Sequence, residues 1–156
     1  MNKVPMTAVG YQKLQDELKK LINKDRPEII KDIAEARGHG DLSENAEYQY
    51  AKEQQSLIEG KIIELESAIA QAEIIDISKL SGSEIKFGAT VKIKDDETNK
   101  QSTYQIVGEY ESDINNKKLS INSPLAKGLI GKTKNDAVEV NSPKGTKTYT
   151  VLSVKF

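Results

Sequence analysis

The chain has 156 residues, of which 37% are hydrophobic and 30% charged, with a net charge of −1 and no cysteine. That length suits one ordinary domain or two small ones. The missing cysteine excludes disulfides, thiolate nucleophiles and Cys-ligated zinc. With no Trp and two Phe, a large aromatic-lined ligand pocket is not expected either.

The opening "MNKVPMTAVGYQKLQDELKK" lacks the apolar stretch of a signal peptide, and no run of about 18 apolar residues occurs, so neither a leader nor a membrane span is expected. The near-neutral total hides an asymmetry. Residues 1–76 hold 10 Lys/Arg and 15 Asp/Glu, net −5, while residues 77–156 hold 13 and 9, net +4. Two differently solvated surfaces would give this pattern, and so would two halves facing different partners.

Residues 11–37 are predicted as helix. Leu14, Leu18, Leu21 and Ile22 share a face that Ile29, Ile33 and Ala36 continue, and Thr7 is a candidate cap before it. Pro27 interrupts this pattern, since a proline inside a helix costs roughly 3 kcal/mol. Either the helix breaks, with Asp25 as a new N-cap and Glu28 three residues on, or it continues with a kink.

Residues 44–73 give the clearest signal. Tyr48, Ala51, Gln55, Ile58, Ile62, Leu65, Ile69 and Ala72 step by alternating threes and fours, a heptad seam. The predicted helix is roughly 45 Å long and must cover its stripe. The preceding helix is joined to it by a short loop, which predicts antiparallel neighbours. The first half therefore reads as a helical hairpin with Gly38–Ser43 at its tip. An intermolecular coiled coil is the alternative to the expected monomer.

After Ile77 the period changes to two. In "GATVKIK", Ala89, Val91 and Ile93 alternate with Thr90, Lys92 and Lys94. "STYQIVG", "KLSI", "DAVEV" and "TKTYTVLSVKF" read as further strands, with "DDETN" and "NSPKG" as turns. "SPLAKGLIGK" predicts a short helix: Ser123 caps it, Pro124 takes its first position and Gly131 follows its end. The fold class is α+β. Residues 1–76 form the hairpin, 77–84 a linker, and 85–156 a small β-rich domain.

The tip sequence is "ARGHGDLSENAEYQYAKEQQ". Asp41-x-x-Glu44 fits a capping box for the second helix, and both carboxylates suit its positive end. The same acids could instead be presented outward as hard oxygen ligands. Two carboxylates cannot fill the six-oxygen shell of Mg²⁺, so a partner would have to complete it. His39 between glycines reads as a solvated turn residue before it reads as a general base.

The segment "RPEIIKDIAEARGHGDLSENAEYQYAKEQQ" resembles the hairpin of bacterial transcript cleavage factors of the Gre family. "VPMTAVGYQKLQDEL", "IKFGATVKI" and "INSPLAKGLIGK" are similar to the rest of that family, so the resemblance spans nearly the whole chain. It implies a cytoplasmic elongation factor, not itself an enzyme, whose partner is RNA polymerase arrested after backtracking. Its second domain, similar in fold to FK506-binding proteins, would dock at the rim of the polymerase secondary channel through the region of Ser123 and Pro124. The hairpin would enter that channel. Asp41 and Glu44 would serve as catalytic acids sharing a Mg²⁺ with the polymerase active site, no cofactor being bound by the protein alone. Arg37 and Lys52 would face the nascent RNA 3′ end. The resemblance also favours one continuous helix through Pro27. Two other readings are a channel-binding inhibitor on the same scaffold and a prolyl isomerase using Phe87, Tyr104, Tyr110, Tyr149 and Phe156. The retained tip acids argue against the first, and the scarcity of aromatics against the second.

Overall fold

The computed structural model describes residues 3–40 and 45–156. These fall into two compact units, one holding Tyr11–Ala72 and the other Lys3–Gly10 together with Glu73–Phe156. The chain is α+β, with helices concentrated in the first unit and strands in the second.

Helix α1 (Ala8–Lys20) runs into a five-residue π-helical turn, Leu21–Asp25, and then directly into α2 (Arg26–Arg37). Asp25 has helical angles (φ −68°, ψ −42°) and its side chain caps nothing. The break allowed at Pro27 does not occur, and the helix continues. The reason lies one residue upstream. The Arg26 N–H donates to Leu21 O, five residues back, so the turn before the proline is widened and the ring is accommodated. Helix α3 (Ala46–Ala70) supplies the other arm, about 37 Å long.

The seam between the arms follows the predicted one as far as Leu65, after which Ala68 is buried where the heptad predicts Ile69. Leu14, Leu21, Ile29, Ile33 and Ala36 are buried on the first arm, and Ala51, Ile62, Leu65 and Ala68 on the second. Ile29, Ile33 and Ala51 form a cluster flanked by Tyr48 and Ile58. Each buried Ile or Leu contributes about 1.5–3 kcal/mol. Leu21 and Ile29, on either side of Pro27, therefore offset the roughly 3 kcal/mol that a helical proline costs. Arg26 fixes the register of the arms. Its Nε and Nη2 donate to the two oxygens of Glu59, each at 2.8 Å, in a forked pair.

The second unit carries two short strands that period-two patterning did not predict, β1 (Val4–Met6) and β2 (Ala72–Ile74). They pair into a two-stranded sheet, and Ile75 N–H extends the contact to Met6 O at 2.9 Å. Each is three residues long, too short to show a period.

The main sheet contains β3 (Thr90–Asp95), β4 (Gln101–Val107), β5 (Lys118–Ser120), β6 (Ala137–Ser142) and β7 (Gly145–Lys155) in the order β5-β4-β3-β7-β6. Within this sheet β4 and β5 pair in parallel and the other neighbours antiparallel. Ala89, Val91 and Ile93 are buried while Lys92 is exposed, as the alternation predicts. They join Ile106, Leu119, Val138 and Val151 in a core that Ala126 and Leu129 cover. Those two residues belong to helix α4 (Pro124–Leu129). Ser123 Oγ accepts from Ala126 N–H at 3.2 Å, and Gly131 follows with φ +86°. The predicted cap, first-position proline and terminal glycine are all in place.

The N-terminal segment is clamped by one acid. Glu111 accepts from Thr7 N–H at 2.9 Å, from Gly108 N–H at 3.2 Å and from the Thr7 hydroxyl. Thr7 Oγ1 in turn accepts from Gly10 N–H at 3.0 Å, so Thr7 caps α1 as expected. Gly10 leaves room for this arrangement, since a Cβ there would lie 2.1 Å from Glu111 Cδ.

Two outcomes are expected. Gly10→Ala in a helix normally stabilises by up to about 1 kcal/mol. Here it must expel Glu111 and strand its donors, so urea unfolding should show a loss of roughly 1–3 kcal/mol. The second outcome concerns Glu59. The hydrogen bond from Arg26 holds its carboxyl below the usual glutamate value of 4.5. A depressed folded pKa stabilises above the unfolded pKa and stops doing so as pH falls through the folded one. The melting advantage of wild type over Glu59→Gln should be full at neutral pH, fade below about pH 4.5 and vanish in stronger acid.

Candidate functional site

Among the described residues, the place where chemistry-bearing side chains converge is the end of the hairpin where α2 gives way to α3. Arg37 is the last residue of α2. Gly38 N–H donates to Glu35 O and His39 N–H to Ala36 O, each at 3.1 Å. Gly40 then takes φ +111°, a region that suits glycine. Asp41 and Glu44, the predicted catalytic and metal-sharing pair, lie outside the described residues.

The chain returns at Asn45, in extended conformation at φ −85° and ψ 100°. Its Oδ1 accepts from Tyr48 N–H at 3.1 Å, so Asn45 is the N-cap of α3. The predicted capping box placed Asp41 at that position; the cap bond belongs to Asn45 instead. The physical reason is spacing, because a cap serves the N–H two or three residues ahead of it and α3 starts at Ala46. Asn45 also faces the other way. Its Nδ2 donates to Ala36 O at 2.7 Å. One amide thereby ties the end of α2 to the start of α3.

Arg37 and Lys52 are brought together. Both line a shallow depression of 250 Å³, with Ile30, Ile33, Ala34 and Gln55. The Arg37 guanidinium lies 6.0 Å from the centroid of the Tyr48 ring, at the edge of cation–π range. Lys52 Nζ donates to Gln55 Oε1 at 3.1 Å. The other side of the seam is acidic. There Asp32, Glu35 and Glu47 line a second depression with His39 and Tyr50. His39 Nε2 is 3.8 Å from Glu47 Oε2 and the imidazole is 64% exposed, as suits a solvated turn residue. Among the described residues no group of three or more His, Asp or Glu is arranged to hold a metal ion.

In the second unit, the Ser123 hydroxyl donates to Ser120 O at 2.7 Å while capping α4. It is half-buried and Pro124 beside it is exposed. Four of the five aromatics considered for an isomerase pocket have other surroundings. Phe87 is buried. Tyr104, Tyr149 and Phe156 pack against the sheet core. Tyr104 and Tyr149 do border a depression of 240 Å³, but with Asp95, Lys100 and Lys147 rather than more rings.

Sequence reasoning missed Asn45 and the Arg37–Tyr48 contact. The first had a signal, because Asn is among the strongest N-cap residues and Asn45 directly precedes the first helical turn. The second joins residues on different arms and had none.

Two family models match the chain. One, described as "Transcription elongation factor, N-terminal", covers residues 4–74. The other, "Transcription elongation factor, GreA/GreB, C-term", covers residues 80–156. "Transcription elongation factor GreA" of Rickettsia canadensis is 60% identical over 99% of this chain and 95% of its own length. The protein of the same name from Caulobacter vibrioides is 53% identical over 100% of this chain and 99% of its own. Among solved structures, GreA factor homolog 1 of Thermus thermophilus is 25% identical, with 99% of this chain and 100% of that one covered and a TM-score of 0.46. On the full-length sequence matches, this chain belongs to the GreA/GreB family of transcription elongation factors.

Proposed function

We propose that this chain, acting as a cytoplasmic monomer, binds RNA polymerase halted in a backtracked state and stimulates the polymerase's own cleavage of the extruded RNA 3′ end. The second unit docks at the rim of the secondary channel through the surface around Ser123 and Pro124. The hairpin enters the channel and brings Asp41 and Glu44 to the active site. Arg37 and Lys52, which share one side of the seam, attract the phosphates of the displaced RNA.

The observation that supports this reading is the match of nearly the whole chain to the GreA/GreB transcription elongation factors. The two acids, Asp41 and Glu44, take their proposed role from that resemblance. Their chemistry fits a hard divalent cation, and their number does not fill its shell. A Mg²⁺ ion held jointly with the polymerase would supply charge neutralisation and an activated water for phosphodiester hydrolysis. The contribution of this chain is to deliver two anionic oxygens on a rigid arm at a place where the polymerase and RNA provide the rest.

Two expectations follow from this division. The purified protein should not hydrolyse free RNA in the presence of Mg²⁺. Hydrolysis that tracks the protein through purification and disappears on mutating the tip would contradict the reading. The second experiment replaces Asp41 with Asn and Glu44 with Gln. The amides keep the capacity to cap, and the dipole interaction lost is about 0.3–1 kcal/mol per charge. The double variant should melt within a few degrees of wild type and compete equally for polymerase. It should lose stimulated cleavage, with partial recovery at high Mg²⁺. Cleavage that survives while melting drops would assign the pair a structural role.

A further inference from the structure

We propose that the outer face of the main sheet, the side opposite α4, is a surface for the phosphate backbone of duplex DNA. Neither Asp41 nor Glu44 enters into it.

The face is laid out by register, in three rows of side chains that cross the strands. Lys118, Gln105, Thr90 and Lys155 form one row, through the pairs Gln105–Lys118, Thr90–Gln105 and Thr90–Lys155. Thr103, Lys92 and Ser153 form the next, and Gln101, Lys94 and Thr150 the third. The irregularity at Lys92 and Ile93 inserts Leu152 into β7, which keeps Ser153 and Thr150 on the same side. Their neighbours Val91, Ile93, Ile106 and Val151 turn the other way, into the core beneath Ala126 and Leu129 of α4. Lys92, Gln101, Thr103 and Lys155 are exposed and the other six half-buried.

These positions hold only Lys, Thr, Gln and Ser. Each of those side chains can donate a hydrogen bond, and none is acidic or aromatic. Acids flank the face: Asp96, which accepts from the Thr150 hydroxyl at 2.7 Å, Asp113 beside Lys118, and Glu139 on β6. Among the described residues Lys92, Lys94, Lys118 and Lys155 form no ion pair. Two ordinary uses of lysine on a sheet do not fit. Lysine guards open sheet edges, but Lys92 and Lys94 stand on β3, the central strand, paired on both sides. A surface kept merely soluble intersperses both signs, and opposite charges directly across strands add stability. Here Lys92 and Lys94 have hydroxyls and an amide across from them instead.

The complement of such a face is an extended polyanion. Lysine mixed with Ser, Thr and Gln donors is the set that contacts DNA phosphates. Single strands are held by stacking on aromatic rings, which this face lacks, whereas a duplex keeps its bases stacked by itself. Lys118 and Lys155 lie three strand spacings apart, about 14 Å. That compares with about 12 Å across a major groove, so the two lysines reach separate phosphate rows.

The test is binding of the full chain to a short fluorescent DNA duplex of arbitrary sequence, read by anisotropy over a salt series. The slope of log affinity against log salt should be roughly −3 to −4. Lys92→Gln with Lys94→Gln should flatten it by about 2 and weaken binding about tenfold at low salt. Lys92→Arg with Lys94→Arg should keep the slope, and every variant should melt within a few degrees of wild type. Lys13→Gln with Lys31→Gln, an equal loss of charge at exposed helix positions, should leave binding unchanged. Single-stranded RNA of the same length should bind more weakly. Equal weakening in the Lys13 and Lys31 variant would reduce the effect to net charge and overturn the proposal. Unchanged duplex binding after all four sheet lysines become Gln would overturn it too, as would tighter binding of the single-stranded RNA.

Discussion

Two helices packed on each other share a single seam, and each can bury only one narrow stripe along it. That constraint organises the first unit. Ile29, Ile33, Ala51, Ile62 and Leu65 fill the seam, while Ile30, Leu57 and Ile63 stay exposed on the arms. Among the described residues, such a pair offers open depressions along its sides. It can hold side chains along its sides and at its end, and little else. The hydrophobic gain along the seam, a few kcal/mol per residue, also settles the conflict at Pro27. The helix widens by one π turn rather than break and lose its alignment with α3. The forked Arg26–Glu59 pair then pins the register. Being partly exposed on both sides, it specifies alignment more than it stabilises.

On the proposed reading, chemistry on such a scaffold is borrowed from a partner. An isolated carboxylate pair binds a hard cation weakly, because most of the shell is left to water. In a partner's active site, other carboxylates and phosphates complete the shell, and the same pair can decide whether a loosely held ion stays. The side chains near the hairpin end suit this division. Arg37 and Lys52 lie to one side of the seam and Asp32, Glu35 and Glu47 to the other, so opposite signs of charge are kept apart. Asn45 stands between the arms and needs neither charge to hold them.

How much of this was legible depended on how local each cause was. The seam of α3, the alternation through Ala89, Val91 and Ile93, and the cap, proline and glycine around α4 are written within short windows, and all were readable. Pro27 was ambiguous because two responses, a break and a widened turn, differ only in whether packing holds the far side in line. Asp41 as cap was a reasonable reading of spacing that Asn45 displaced, since the true start of α3 decides which side chain is in reach. Strands β1 and β2 were invisible. They are three residues each, some 68 apart in sequence, and pair because the segment before α1 meets the segment after α3. The Glu111 clamp on Thr7 is of the same kind, joining residues 104 apart. Asp41 and Glu44 were singled out as candidates by their resemblance to a family, not by spacing, which fitted a cap equally well.

The central claim is that the loop joining α2 and α3 is carried to the polymerase active centre. It is tested most directly by replacing the active-site Mg²⁺ of a halted polymerase with Fe²⁺ and generating hydroxyl radicals there in the presence of this chain, labelled at one end. Radicals cut only polypeptide lying within a short distance of the iron. The account predicts cuts confined to the neighbourhood of residues 38–46, abolished by excess unlabelled protein. Cuts in the second unit, or none where binding is saturated, would contradict it.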